Sequence, residues 1–256
     1  MAKYKLLALD MDGTVLNRNH EISEETFKWI HRAIQSGIVV MFATGREVQS
    51  INPYVEQLGL ESPLVSVNGS EVWSAPGSLL VRHTLKDDWI KELQVLAEEK
   101  ECRYWAYTVN HVYTSMDWTD QLERPEGDPW LKFGIHCDDP ICLQEMHEIL
   151  AATGRYELTN SSPRNIEINP HGINKASGIR EICQLLDIQM DEVVACGDSL
   201  NDLEMIRAAG LGIAMGNAQE AVKMTANAVT ATNEENGVAQ LIQTYLVKEL
   251  PSFKHS

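Results

Sequence analysis

The sequence predicts an α/β fold, a parallel sheet in three layers, interrupted by a smaller α+β unit. Three observations lead to this. At both ends of the chain short apolar strands alternate with amphipathic helices, as strands joined by crossover helices do. Three of those strands end abruptly in polar residues able to carry chemistry, at the edge where open parallel sheets bind ligands. Between residues 82 and 170 the alternation gives way to strands with hairpin-like or split connections, which suit an antiparallel sheet.

Leu6 to Leu9 read as a short buried strand running into Asp10-Met11-Asp12-Gly13-Thr14, where Gly13 marks the chain turning away. Asn19 through Gly37 reads as the first helix, with Ser23 as N-cap, Phe27, Ile30 and Ile34 inward and Gly37 as the stop. Ile38 to Phe42 form a second strand, ending in Ala43-Thr44-Gly45-Arg46, and Leu64 to Gly69 form another that ends in a turn. Ile173-Asn174-Lys175 opens a helix with Ile179, Ile182, Leu185 and Leu186 on one face. Glu192 to Cys196 lead into Gly197-Asp198-Ser199-Leu200-Asn201-Asp202, and a helix follows through Leu203, Ile206 and Ala209 to Gly210. Leu211 to Gly216 and Ala228 to Thr230 supply further strands. The interruption reads as a helix (Lys86 to Lys100), strands (Arg103 to Thr114), a Pro-containing loop (Glu123 to Pro129), a strand (Trp130 to His136), a helix (Pro140 to Thr153) and strand pieces through Tyr156 and Ile166. The chain thus divides into a core of residues 1–81 and 171–256 and an inserted unit of residues 82–170.

The strand ends carry the chemistry. Two carboxylates one residue apart, Asp10 and Asp12, repel each other and suggest a bound cation or a reaction. Thr44 can hydrogen-bond a phosphoryl oxygen, and Gly45 lets backbone N–H groups approach an anion. Lys175 at a helix start conflicts with the positive end of the helix dipole, a conflict that a bound anion would relieve. Ser199 could serve as a helix N-cap and Asp202 as a first-turn charge. Those roles do not explain why three separate strand ends carry an Asp pair, Thr-Gly and Gly-Asp.

In order and spacing these segments resemble the haloacid dehalogenase superfamily: Asp-x-Asp-x-Thr, then Thr or Ser, then Lys, then an acidic Gly-Asp motif. Asp-Met-Asp-Gly-Thr, Ala-Thr-Gly-Arg and Gly-Asp-Ser-Leu-Asn-Asp look like its Cof-type branch (subfamily IIB) of sugar-phosphate phosphatases. One departure is Ala176, where that branch often has glycine after the motif lysine; alanine costs little at a helix start. The resemblance implies a Rossmann-like core with a cap domain inserted between the Thr44 and Lys175 motifs. It further implies Asp10 as a nucleophile that forms an aspartyl-phosphate and Asp12 as general acid and base. Mg²⁺ would be held by Asp10, the backbone carbonyl of Asp12 and Asp198. Lys175, Thr44, Gly45, the Met11 backbone and Asn201 would face the phosphoryl group. Asp202 would orient the shell around the metal, and Arg46 would position substrate or pair with Glu47 or another acid.

Two rivals use similar residues. A phosphomutase of the same superfamily would share the Asp10 chemistry. A receiver-type phospho-accepting switch also gathers acids, Thr and Lys, but orders them differently and lacks an inserted lid.

Composition fits the enzyme reading. Lys and Arg number 21 against 37 Asp and Glu, a formal charge of −16, which argues against nucleic-acid or anionic-membrane binding. The anionic ligand must then be drawn by local cations, and the expected partner is a small phosphorylated metabolite. Nothing in the pattern sets an oligomeric state. No run of eighteen apolar residues and no signal-type h-region occurs, so a cytoplasmic location is expected. The five cysteines (Cys102, Cys137, Cys142, Cys183, Cys196) form no Cys-x-x-Cys pair and read as reduced, mostly structural thiols. The inserted unit holds Trp89, Trp105, Trp118, Trp130, Tyr104, Tyr107, Tyr113 and Tyr156. A lid this aromatic could stack on a sugar or a heterocycle such as pyridoxal or flavin, although any single ring more often fills a small core. His111 and His136 read as polar strand positions.

Overall fold

The computed structural model describes residues 3–116, 118 and 127–247. In chain order the elements are β1 (Leu6–Leu9), α1 (Glu24–Gln35), β2 (Val39–Phe42), α2 (Val48–Leu58), β3 (Leu64–Ser66), β4 (Glu71–Ala75) and β5 (Ser78–Arg82). Then come α3 (Asp87–Glu99), β6 (Arg103–Thr108), β7 (Val112–Thr114), β8 (Trp130–His136), α4 (Pro140–Ala152), β9 (Tyr156–Thr159) and β10 (Asn165–Pro170). The chain continues through α5 (Lys175–Leu186), β11 (Val193–Gly197), α6 (Leu203–Ala208), β12 (Leu211–Ala214), α7 (Glu220–Thr225), β13 (Ala228–Val229) and α8 (Gly237–Leu241). Residues 123–126 of the Pro-containing loop lie outside the described residues.

The main sheet runs β13-β12-β11-β1-β2 and is parallel throughout. Every residue of β1 and β11 is buried, as central strands sandwiched by helices must be. Helix α1 is entered as expected: Ser23 caps it, its side chain accepting from the Thr26 N–H. Its inner face differs, however. Thr26, Trp29, Ile30 and Ala33 are buried, whereas Ile34 is 37 % exposed. Trp29 reaches the core while its indole N–H donates to Glu25 at 2.7 Å, a partner that lets a polar-tipped ring lie inside. On α5, likewise, Ile179 and Ile182 are buried but Leu185 is half exposed.

A second sheet, β7-β6-β8-β10-β9, is antiparallel, with α3 and α4 packed on it around its own apolar cluster. A third sheet, β3-β4-β5, is an antiparallel meander that leads out of the core. Between β3 and β4 the chain turns sharply through Val67, Asn68 and Gly69, with φ of 49°, 56° and 102°. A positive φ at a β-branched residue is unusual, and the surroundings fix this turn. A Cβ on Gly69 would lie 2.3 Å from the Asn174 carbonyl at the start of α5. The Asn169 amide donates to the Val67 carbonyl and the Ser70 hydroxyl, and the Ser70 hydroxyl donates to the Leu131 carbonyl at 2.7 Å.

Candidate active site

Register alone gathers the strand-end motifs. Leu9 of β1 pairs with both Phe42 of β2 and Cys196 of β11, so the residues after these three strands emerge side by side. Asp10, Thr44 and Asp198 therefore share one edge of the sheet. Lys175, the first residue of α5, is fully buried there, and its ammonium donates to Asp10 and to Asp202 at 2.6 Å each. The anions that offset the helix dipole are thus the chain's own carboxylates. Burial alone would lower the Lys175 pKa, but Asp10 and Asp202 hold it above its usual value.

Carboxylate oxygens of Asp10, Asp198 and Asp202 lie within 4.8 Å of one another. Burial, then the charge of Asp202, raises Asp10 to about 7 despite Lys175. Burial, then Asp10 and Asp202, raises Asp198 to about 8. Asp202 is tied down on both oxygens: Oδ1 accepts from Lys175, while Oδ2 accepts from the Asp198 and Ser199 N–H groups at 2.8 and 3.0 Å. Two glycines make room. A Cβ on Gly13, where φ is +76°, would lie 2.5 Å from Asp198 Oδ2, and one on Gly197 would lie 2.2 Å from the Asp202 carboxyl carbon.

Asp12 lines the same cavity but has a different partner. Arg46 grips its carboxylate with Nε at 2.7 Å and Nη2 at 2.6 Å, so the acid paired with Arg46 is Asp12 rather than Glu47. Burial would raise the Asp12 carboxyl, but the hydrogen bonds and charge of Arg46 outweigh it and hold the pKa below the usual value. Thr44 is buried, and its hydroxyl accepts from the Arg46 N–H at 3.3 Å. The Met11 side chain is fully buried in the core, which leaves its backbone as the part able to meet a ligand. The Asn201 amide donates to Asn68 at 3.2 Å, and its Oδ1 is buried without a partner among the described residues.

Asp10, Asp12, Thr44, Gly45, Arg46, Asp198, Ser199 and Asn201 line a cavity of about 170 Å³, with Lys175 and Asp202 buried behind it. Its other wall comes from Tyr107, Lys132 and Glu167 of the second sheet and from Ser161 in the connection between β9 and β10. Lys132 and Glu167 are both buried, 3.3 Å apart. The Lys132 ammonium also donates to the Gly45 carbonyl at 2.8 Å and sits 4.6 Å from the Tyr107 ring centre. Burial would raise Glu167, yet Lys132, Asn68 and Ser161 together keep it below its usual range; Asn68 donates at 2.6 Å and Ser161 at 3.0 Å. Nothing in the spacing of residues 107, 132, 161 and 167 marks them. The available signal was a Lys and a Glu within otherwise apolar strands. Of the aromatic residues, Tyr107 reaches the cavity. Trp118, Trp130, Tyr104 and Tyr113 stack on one another and on Phe133 inside the second sheet's core, and Trp89 packs edge-on against Tyr156. His111 and His136 lie beside Asp128 and Asp138, away from the cavity.

The profile of the haloacid dehalogenase-like hydrolase family matches residues 7–242. The chain belongs to that family. This haloacid dehalogenase-like hydrolase is 42 % identical over 243 residues to a 5-amino-6-(5-phospho-D-ribitylamino)uracil phosphatase of Bacillus subtilis, covering 95 % of this chain and 96 % of that protein. A second Bacillus subtilis phosphatase with the same substrate in its name is 34 % identical, covering 94 % and 97 %. The solved structure of a haloacid dehalogenase-like hydrolase from Bacillus subtilis superposes with a TM-score of 0.87 at 26 % identity, over 94 % of this chain and 100 % of that one. With such relatives the hydrolase is a phosphoric monoester hydrolase. No described helix is long and apolar enough to cross a membrane.

Proposed function

We propose that the protein hydrolyses phosphate monoesters of small metabolites, sugar phosphates or similar compounds, through an aspartyl-phosphate on Asp10, with Mg²⁺ as cofactor. In this reading residues 82–170 act as a cap over a core made of residues 1–81 and 171–256. The observation that carries it is the charge balance at the strand ends. Asp10, Asp198 and Asp202 face a single buried ammonium, Lys175. Fully ionised, they leave two negative charges unmatched, and the raised Asp10 and Asp198 carboxyls register that shortfall.

A divalent cation on oxygen donors fits it. Asp10, Asp198 and the Asp12 carbonyl would hold Mg²⁺, and Gly13 leaves the space beside Asp198 that a side chain would fill. When bound, the ion would supply positive charge to the phosphoryl oxygens. The chain's residues do the rest. Asp10 attacks phosphorus in line, breaking the bond to the ester oxygen. Asp12 protonates that leaving oxygen and then takes a proton from the water that hydrolyses the intermediate. Arg46 keeps Asp12 ionised, the form needed for the second step, and must release it for the first. Lys175, Thr44 and the Gly45 and Met11 backbone bind the equatorial oxygens, and Asn201 contributes its amide.

Substrate choice would rest with Tyr107, Lys132, Ser161 and Glu167, a set of donors and acceptors suited to hydroxyls. The ribityl chain and pyrimidine named for two relatives fit that chemistry, as do sugar phosphates, pyridoxal phosphate and flavin mononucleotide. The test is Mg²⁺-dependent release of phosphate across these compounds and p-nitrophenyl phosphate. Turnover is expected to vanish with EDTA, with Asp10→Asn and with Asp12→Ala. A wild-type rate in Asp10→Asn overturns the nucleophile, and an undiminished rate after chelation overturns the metal.

A further inference from the structure

Apart from this site, the fold assembles a second chemical cluster. Cys102 enters β6, Cys137 follows β8, and Cys142 sits in the first turn of α4. Their sulfurs lie within 4.8 Å of one another. Met146, one turn further along α4, brings its thioether to 3.7 Å from the Cys102 sulfur. All five cysteines are free thiols. None of these residues lines the catalytic cavity.

The geometry points to a binding site for a soft, thiophilic cation such as Zn²⁺ or Cu⁺, held by Cys102, Cys137 and Cys142 with Met146 as a further sulfur neighbour. Metal–thiolate bonds of about 2.3 Å place ligand sulfurs about 3.8 Å apart in a tetrahedral site and about 4.0 Å apart in a trigonal one. The observed spread is within 1 Å of both, so side-chain rotation suffices. Three thiolates and a thioether select soft d¹⁰ ions over Mg²⁺. The site also has electrostatic help: Cys142 lies at the positive end of the thirteen-residue helix α4, which favours thiolate. Left without a cation, the cluster rests as neutral thiols. Burial, then the neighbouring Cys137 and Cys142, pushes the Cys102 thiol up to about 12, and burial raises Cys142 as well. Binding therefore displaces protons, and affinity rises with pH. Cys137 and Cys142 are only partly buried, which gives an ion access.

Cd²⁺ serves as the probe, titrated into the full-length protein in excess Mg²⁺ so that the carboxylate site is occupied. Sulfur ligation gives a thiolate-to-metal charge-transfer absorption that oxygen ligands cannot produce. The expected result is a band saturating at about one equivalent. Cys137→Ser and Cys142→Ser should each lose about a third of it, as one of three thiolates, and weaken binding at least tenfold. Cys183→Ser is the control: its thiol also lies 3.7 Å from a thioether, that of Met190, but stands apart from the cluster, and it should change nothing. Mg²⁺-dependent phosphatase activity should persist in Cys142→Ser, which also reports folding. Without any variant, Cd²⁺ should slow alkylation of Cys137 and Cys142 in peptide mapping. No band at one equivalent, a band that survives both substitutions, or unchanged alkylation overturns the proposal. So does protein prepared without reductant that has already joined two of the three as a disulfide and gives no band.

Discussion

Replacing Lys175 with methionine keeps the length of the side chain and removes the ammonium at the centre of the carboxylate cluster. The wild-type ammonium lies 2.6 Å from Asp10 and 2.6 Å from Asp202. At an effective dielectric of about 20, each contact amounts to about 6 kcal/mol of Coulomb attraction. Desolvating the ammonium offsets much of this, and breaking a buried pair typically costs about 3–5 kcal/mol net. For a chain of this size that corresponds to a fall in Tm of about 10 °C. The loss should depend on pH. Asp10 and Asp198 stand at about 7 and about 8 instead of the ordinary 3.8, so the folded chain binds more protons than the unfolded one between those limits. Stability without metal consequently falls as pH rises from about 4 to about 8. Removing Lys175 steepens that fall, because the carboxylates then repel one another without relief. Melting monitored by circular dichroism at pH 5.5 and pH 8, with EDTA, reads this directly. The Lys175→Met deficit should be several degrees larger at pH 8, and Asp202→Asn added to it should recover part of the loss. A deficit under 2 °C at pH 8, or one equal at both pH values, would refute the account of a charge-starved cluster.

Three further outcomes follow from the same geometry. At the proposed metal site protons and Mg²⁺ would compete for Asp10 and Asp198, so the apparent Mg²⁺ Kd for activity should fall between pH 6 and pH 8, by up to about tenfold per unit for each proton displaced; a flat profile contradicts it. Gly13→Ala forces a side chain into a left-handed position 2.5 Å from Asp198 Oδ2, costing about 1–2 kcal/mol of stability and raising the Mg²⁺ requirement at least tenfold, both measurable by melting and by metal titration of the rate. Glu167→Gln should reorder the preference among sugar, polyol and aryl phosphates while changing p-nitrophenyl phosphate turnover less than about threefold; an equal loss on every substrate would place Glu167 in the chemistry instead.

The parallel core could be read from the sequence because its strands are continuous apolar runs, each ending in residues that make no sense in a loop. Once β1 is central, register delivers Asp10, Thr44 and Asp198 to one edge, and Lys175 and Asp202 close the set. Less was legible where a side chain's place depends on its tip. Trp29 is buried because Glu25 takes its N–H, and Ile34, more apolar by composition, is left at the surface. The β3-β4-β5 meander replaced an expected alternation with helices, and its turn depends on Asn169, Leu131 and Asn174, all distant in the chain. Helix α2 was obscured by Pro53, which it carries inside. The Lys132–Glu167 pair could not be foreseen, since each residue alone looks like an edge-strand charge. The aromatic residues of the inserted unit were conspicuous in composition, but all except Tyr107 stay away from the cavity.

The Lys132 bond to the Gly45 carbonyl and the Asn68 bond to Glu167 have a consequence for throughput. The space they enclose, about 170 Å³, is well below the roughly 300–1,000 Å³ of ordinary ligand pockets. A leaving group larger than this space can enter or depart only while these two fastenings are undone. Bulky substrates should then turn over at the pace of unfastening, sensitive to solvent viscosity, whereas a compact ester such as p-nitrophenyl phosphate reports the bond-breaking step itself.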